Sequence, residues 1–196
     1  MKIKQILLAA LFFSLSFTCC AQDFNVSLRI GERSATVDAV TINDELVFLD
    51  RRGNILPDDY NGPDYEYYGR FDRDELQGKI KSINGIPVKY YDVFDRDELR
   101  GKVKSIGDIT FTYYDIFDRD ELRGKLKSVG GIALKYYDVF DRDELRGKLK
   151  SIGSINIAYY DTFDGERRMG RVKAVKGKTA NVSVSFARGG AAAGQM

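Results

Sequence analysis

The string Phe-Asp-Arg-Asp-Glu-Leu starts at Phe71, Phe94, Phe117 and Phe140, and an altered copy, Phe-Asp-Gly-Glu-Arg-Arg, starts at Phe163. The spacing is 23 residues each time. A Tyr-Tyr pair keeps the same interval at 67/68, 90/91, 113/114, 136/137 and 159/160, so a half-unit precedes the first full copy. A unit this short cannot bury an apolar face alone and must stack on its neighbours to build a core. Phe48 lies 23 residues before Phe71, so a decayed copy there is one alternative to a capping strand.

Two local structures compete for the unit. In the first, exactly two residues separate Lys-x-Lys-Ser-Ile-type strands from the strands that end in Tyr-Tyr: Asn84-Gly85, Gly107-Asp108, Gly130-Gly131 and Gly153-Ser154. All belong to the set that tolerates positive φ, which is the signature of a two-residue hairpin turn. The strand after each turn alternates with period two, as in Ile109, Phe111 and Tyr113 against Thr110, Thr112 and Tyr114. In the second, a helix covers Asp95 to Ile106, with Asp95 and Glu98 as a capping box and Leu99, Val103 and Ile106 on one face. Gly101 opposes the helix, because a mid-helix Gly costs roughly 1 kcal/mol in each copy. The expected fold class is therefore all-β: an antiparallel meander of tandem 23-residue β-hairpin repeats. A strand–helix solenoid and closure into a β-barrel are the alternatives. On the hairpin reading, Phe-Asp-Arg-Asp-Glu-Leu-Arg-Gly is the wider connection, with its Phe and Leu tucked under the loop.

The ends of the chain differ from the array. Met1 to Lys4 is basic, Ile6 to Phe17 is apolar, and Thr18 to Ala21 are small, which is the layout of a secretory signal peptide cleaved after Ala21. A retained anchor and a lipid-modified Cys are the alternatives to that reading. The apolar run is too short for a membrane helix, which needs about 20 residues. Residues 22–64 read as capping strands followed by a loop over 51–64, residues 65–178 as the repeats, 179–187 as a closing strand and 188–196 as a disordered Gly/Ala-rich tail. The chain is expected to be exported to the periplasm, the cell surface or the outside.

Removing the signal changes the chemistry available. Of 31 Lys and Arg, Lys2 and Lys4 leave with it, so 29 remain against 29 Asp and Glu. A neutral chain gives no support to nucleic-acid binding, which wants a basic stripe. Both cysteines leave too, and the chain has no His. Disulfides, Cys-ligated metals and His-based acid–base catalysis are excluded.

A 23-residue hairpin unit with Tyr90, Phe94 four residues on and Gly101 seven after that resembles the MORN type of repeat. Bacterial units of that type also carry strands similar to Gly147-Lys148-Leu149-Lys150-Ser151. The likeness covers about residues 65–175; Asp92 and Asp97 stand where such units usually have Gly. It implies a scaffold or binding surface rather than a catalyst.

Two repeated constellations are candidates for binding. The loops supply Asp95, Asp97 and Glu98; Asp118, Asp120 and Glu121; and Asp141, Asp143 and Glu144. Such hard oxygens suit calcium, but the spacing is not an EF-hand, and the neighbouring Arg residues point to an ion-pair ladder instead. The second Tyr of each pair, at 68, 91, 114, 137 and 160, is expected to form a row on the face opposite the core. That row would either grip a sugar or peptide or pack across strands. The Lys-x-Lys motifs read as solubility charges. Paired carboxylates must flank one substrate to hydrolyse a glycan, and near-identical copies build surfaces rather than a singular active site. The expected function is thus a non-enzymatic binding or scaffold surface in the cell envelope, with protein or envelope polysaccharide as partner, no membrane span after signal removal and no required cofactor. A calcium-stabilised adhesin-like module and an envelope polysaccharide hydrolase are the alternatives. Self-association through open sheet edges is a further expectation.

Overall fold

The structure, a computed structural model, describes residues 23–58 and 62–187. The expected signal peptide and the 188–196 tail lie outside the described residues. A first sheet contains β1 (Phe24–Ile30), β2 (Ala35–Ile42), β3 (Glu45–Leu49) and the two-residue β4 (Ile55–Leu56). The array follows with β5 (Tyr65–Tyr67) and four hairpins: β6 (Ile80–Ile83) with β7 (Ile86–Tyr90), β8 (Val103–Ile106) with β9 (Ile109–Tyr113), β10 (Leu126–Val129) with β11 (Ile132–Tyr136), and β12 (Leu149–Ile152) with β13 (Ile155–Tyr159). Strand β14 (Val172–Lys176) ends the array, and β15 (Val182–Phe186) returns to the first sheet.

The repeats form a ten-stranded meander, β5 to β14 in chain order, and every pairing in it is antiparallel. The fold is the all-β array of hairpins; the sheet is open, not a barrel. Among the described residues the only helical pieces are single 3-10 turns, such as Asp120–Leu122 and Asp143–Leu145. The two-residue turns are where the sequence puts them. Asn84 and Gly85 take φ of 46° and 75°, and Gly130 and Gly131 take 54° and 80°, the backbone that twists with a hairpin. The helical alternative fails at Gly101, whose φ of 76° lies in the left-handed region.

One irregularity recurs where each hairpin meets the next. Tyr90 pairs with Val103 and Lys89 with Ser105, so Lys104 is an extra residue on its strand. The same shift passes over Lys127, Lys150 and Lys173. A β-bulge of this kind lets two residues oppose one and re-aims the chain. It turns Val103 and Ile106 to the same side, and both are buried. The three-residue apolar spacing is thus a bulge, not a helix turn.

The first sheet packs on one face of the array. A single apolar cluster runs through both, from Val26, Leu28 and Ile42 to Val88, Ile106, Phe111, Val129, Ile152 and Ile157. At one end of the hairpins the Phe24 ring lies against Gly130. At the other, the Glu32 carbonyl accepts from Val172 N–H at 2.8 Å and the Gly53 carbonyl from the Tyr113 hydroxyl at 3.4 Å. Strand β15 lies parallel to β1, pairing Val26 with Val182 and Ile30 with Phe186. Phe48 sits inside β3, paired with Ala39 and Leu56, and not at the mouth of a loop. It is no decayed repeat in structure, because the strand of the first sheet claims its backbone.

Candidate functional site

The wide connections between hairpins share one geometry. Asp92 Oδ1 accepts from Phe94 N–H at 2.9 Å, Asp95 Oδ2 accepts from Asp92 N–H at 2.9 Å, and Asp95 N–H returns to the Asp92 carbonyl at 3.1 Å. This is an Asx turn closed by a second carboxylate. The same three bonds recur at Asp115/Asp118 and Asp138/Asp141. A turn follows from Arg96 to Leu99, whose side chain is buried, as are Leu76, Leu122 and Leu145. The N–H of Phe94 on Asp92, with Arg73 nearby, holds that carboxyl below the usual range.

The loop carboxylates are committed to protein donors. Asp95, Asp118 and Asp141 meet Lys104, Lys127 and Lys150 at 3.3, 3.1 and 2.9 Å, the lysines being the bulged residues. Asp97 and Asp120 pair with Arg100 and Arg123, both at 2.7 Å, and Asp143 pairs with Arg146. Glu98, Glu121 and Glu144 each accept a backbone N–H from the next unit, from Ile116, Val139 and Thr162, all at 3.0 Å. Between units, Arg73, Arg96, Arg119 and Arg142 bridge to Asp92, Asp115, Asp138 and Asp161. Exposed pairs are worth only ~0–1 kcal/mol each, so the lattice sets register more than stability. Among the described residues no group of three or more acidic side chains is arranged to hold a metal ion. Adding calcium or a chelator is expected to leave the melting temperature unchanged; a calorimetric scan showing calcium-dependent stabilisation would contradict this accounting.

Of the two arrangements open to the second tyrosines, the structure shows packing across strands and not an open row. Tyr68, Tyr91, Tyr114, Tyr137 and Tyr160 are half-buried. The first four donate their hydroxyls to the carbonyls of Val88, Phe111, Leu134 and Ile157, at 3.4, 3.0, 2.8 and 3.0 Å. Each of these rings also meets the first Tyr of the next pair edge to face, with centroids 5.8–6.5 Å apart. They sit beyond the strand ends, so strand alternation no longer decides where they point. The first tyrosines, Tyr90, Tyr113, Tyr136 and Tyr159, are pushed well above the usual phenol range, by burial first and then by the neighbouring tyrosine.

The residues left open to solvent are the phenylalanines. Phe71, Phe94, Phe117, Phe140 and Phe163 are 90, 90, 80, 83 and 86 % exposed, so only the Leu of each loop tucks under it. The Asx turn is the physical reason: Phe94 follows a residue at the turn's apex, and its N–H is held by Asp92. Arg96, Arg119 and Arg142 lie 4.6, 4.3 and 4.5 Å from the Phe117, Phe140 and Phe163 ring centroids, bracing each ring from the preceding loop. Val93, Ile116 and Val139, at 45–49 % exposure, stand beside them.

No known protein family, curated protein or solved structure matches the chain. What the site does must therefore be argued from its geometry. Successive rings belong to loops two strands apart, about 10 Å. The row is one edge of the array, made five times over, with ion-paired arginines beside the rings.

Proposed function

We propose that the chain is an exported, non-enzymatic repeat scaffold that holds a partner in the cell envelope along its phenylalanine edge. The observation that carries this is the exposure of five equivalent Phe rings. Folding gains nothing from leaving them in water, and apolar exposure repeated at five equivalent positions marks an interaction surface. Repetition makes the contact multivalent, so weak single contacts sum to a firm one when the partner is long or repetitive. An extended protein segment or an envelope polysaccharide meets that description. The resemblance to MORN-type repeats supports the same reading.

The test is a triple substitution, Phe94→Ser with Phe117→Ser and Phe140→Ser. Because the rings are solvent-exposed, each change is expected to alter stability by less than about 0.5 kcal/mol. Circular dichroism and melting should stay those of the parent. Sedimentation with purified envelope material, before and after protease treatment, should show retention by the parent and loss in the variant. Equal retention of the variant would overturn the proposal.

A further inference from the structure

A second surface lies where the turns of the first sheet approach the array. There a cleft of about 840 Å³ opens between residues 33–37 and 50–52 on one side and the Gly-Lys row on the other. Its charge is unbalanced, although the chain outside its expected signal is neutral. Lys102, Lys125 and Lys148 line it from three successive hairpins, with Arg33, Arg51 and Arg52 facing them. Arg123 and Arg146 add to the wall but are paired within their own loops, with Asp120 and Asp143.

The two acids of the cleft, Asp50 and Glu98, offset only part of this charge, and both are already engaged by protein donors. Glu98 accepts the Ile116 N–H. Asp50 accepts from Arg52 N–H, Asn54 N–H and the Asn54 amide at 2.7, 2.9 and 2.8 Å. Burial works against its charge, but the Asn54 and Arg52 bonds outweigh it and hold the carboxyl below its usual range. Arg33, Arg51 and Arg52 are exposed and form no ion pair among the described residues.

The lysines are positioned rather than free. Lys102, Lys125 and Lys148 donate to the carbonyls of Gly124, Gly147 and Gly170, at 3.1, 2.7 and 3.2 Å, and lie 4.8–5.1 Å from the Tyr113, Tyr136 and Tyr159 ring centroids. An ammonium has three donors. One is used by Lys102 and Lys125, and two by Lys148, which also donates to the Arg33 carbonyl at 2.7 Å. Each lysine is held below its usual range by burial, helped at Lys102 by Arg52 and at Lys148 by Arg33. Asp50 at Lys102 and Glu121 at Lys125 work the other way without restoring the usual range, and cations that outnumber the neighbouring acids favour an anionic guest.

The interval between them selects the class of guest. The lysines immediately precede every second strand, β8, β10 and β12, and so recur at about 10 Å. A linear glycan with one acidic group per disaccharide presents charge at a comparable interval. Single-stranded nucleic acid would need open aromatic faces for its bases; the lining rings, Tyr136 and Tyr159, are covered by Lys125 and Lys148. We propose that this cleft is a binding site for a linear anionic polysaccharide, laid across three hairpins with its acidic groups on Lys102, Lys125 and Lys148 and gripped by Arg33, Arg51 and Arg52. Guanidinium groups pair with carboxylates in two-pronged fashion. The site is separate from the phenylalanine edge and stands or falls on its own.

Titration calorimetry of the purified chain with a hyaluronan oligomer, which carries one carboxylate per disaccharide, tests it. Binding is expected, and it should weaken as salt rises to about 0.5 M, where screening shortens the reach of charge. The combined Arg33→Ser, Arg51→Ser and Arg52→Ser variant should bind about tenfold or more weakly. Thr36→Glu, which puts a carboxylate on the cleft wall without deleting a cation, should weaken binding in the same direction. The Phe94, Phe117 and Phe140 variant should bind like the parent, which separates this site from the edge. No binding of the oligomer, equal binding by folded arginine and Thr36 variants, or equal binding of a neutral dextran would overturn the proposal. Tighter binding of inorganic polyphosphate or of single-stranded DNA would overturn the assignment to a glycan.

Discussion

Phe111→Ala is expected to destabilise the chain by about 3–5 kcal/mol, the cost of deleting a fully buried ring and leaving a cavity. Phe111 is the largest side chain with no exposure at all. It lies on β9, near the middle of the ten-stranded sheet, and faces the first sheet inside the one apolar cluster. Neighbouring units cannot close over the gap, because each is held at its own register by bulges and by tyrosine hydroxyls; the Phe111 carbonyl itself receives Tyr91. For a chain of this size the loss corresponds to a fall in melting temperature of roughly 6–20 °C. Phe117→Ala is the internal control. The same residue type six positions later is 80 % exposed, and its truncation should shift stability by no more than about 0.5 kcal/mol. Differential scanning calorimetry of the two variants checks the contrast. Equal melting temperatures would mean that the array is not packed against the first sheet as described.

That contrast also shows what could be read in advance. The 23-residue period, the two-residue turns and the alternation of Ile109, Phe111 and Tyr113 are local properties, set by positive φ and by strand geometry, so hairpins were legible without a fold. The bulge was not. Val103 and Ile106 stand three apart, and a helix face and a bulged strand produce the same spacing. The extra residue, Lys104, is identifiable only once its partner strand is known. Leu99 and Phe94 flank the same loop and are both apolar, but only Leu99 is covered. Hydropathy cannot separate them; the Asx-turn string Asp92-Val93-Phe94-Asp95 could have, since it fixes Phe94 at a tight outward bend. The cationic cleft was hidden for another reason. Arg33 and Arg52 reach Lys148 and Lys102 only through the docking of the first sheet, a contact between residues about 50 to 115 positions apart. A formal net charge of only +2 over the whole chain conceals such local imbalance.

Gly177→Ala is expected to be strongly damaging although it lies on the surface of the fold, at about 2–4 kcal/mol. Gly177 begins the strap that carries the chain from β14 back to β15. Its φ is +102°, a backbone that an L side chain rarely adopts, and an added Cβ would fall well inside contact distance of the Ser154 carbonyl oxygen. Backbone, not a flexible side-chain tip, stands in the way, so the strap itself must move. Thr179 is its anchor: its hydroxyl oxygen accepts from Ser154 N–H at 2.8 Å and donates to the Ile152 carbonyl at 3.3 Å. Beyond it the Asn181 carbonyl accepts from Val26 N–H at 2.8 Å and starts the parallel pairing of β15 on β1. Displacing the strap should therefore loosen β15 before it disturbs the array. Hydrogen exchange resolves the order: amides of Val182–Phe186 should lose protection while those of Ile109–Tyr113 keep theirs. Gly131→Ala separates collision from strain, because Gly131 has φ of +80° with nothing within 4 Å of the added carbon. It should cost only about 1 kcal/mol, the left-handed backbone alone. If the two alanine variants melt together, the strap does not fasten the first sheet to the repeats.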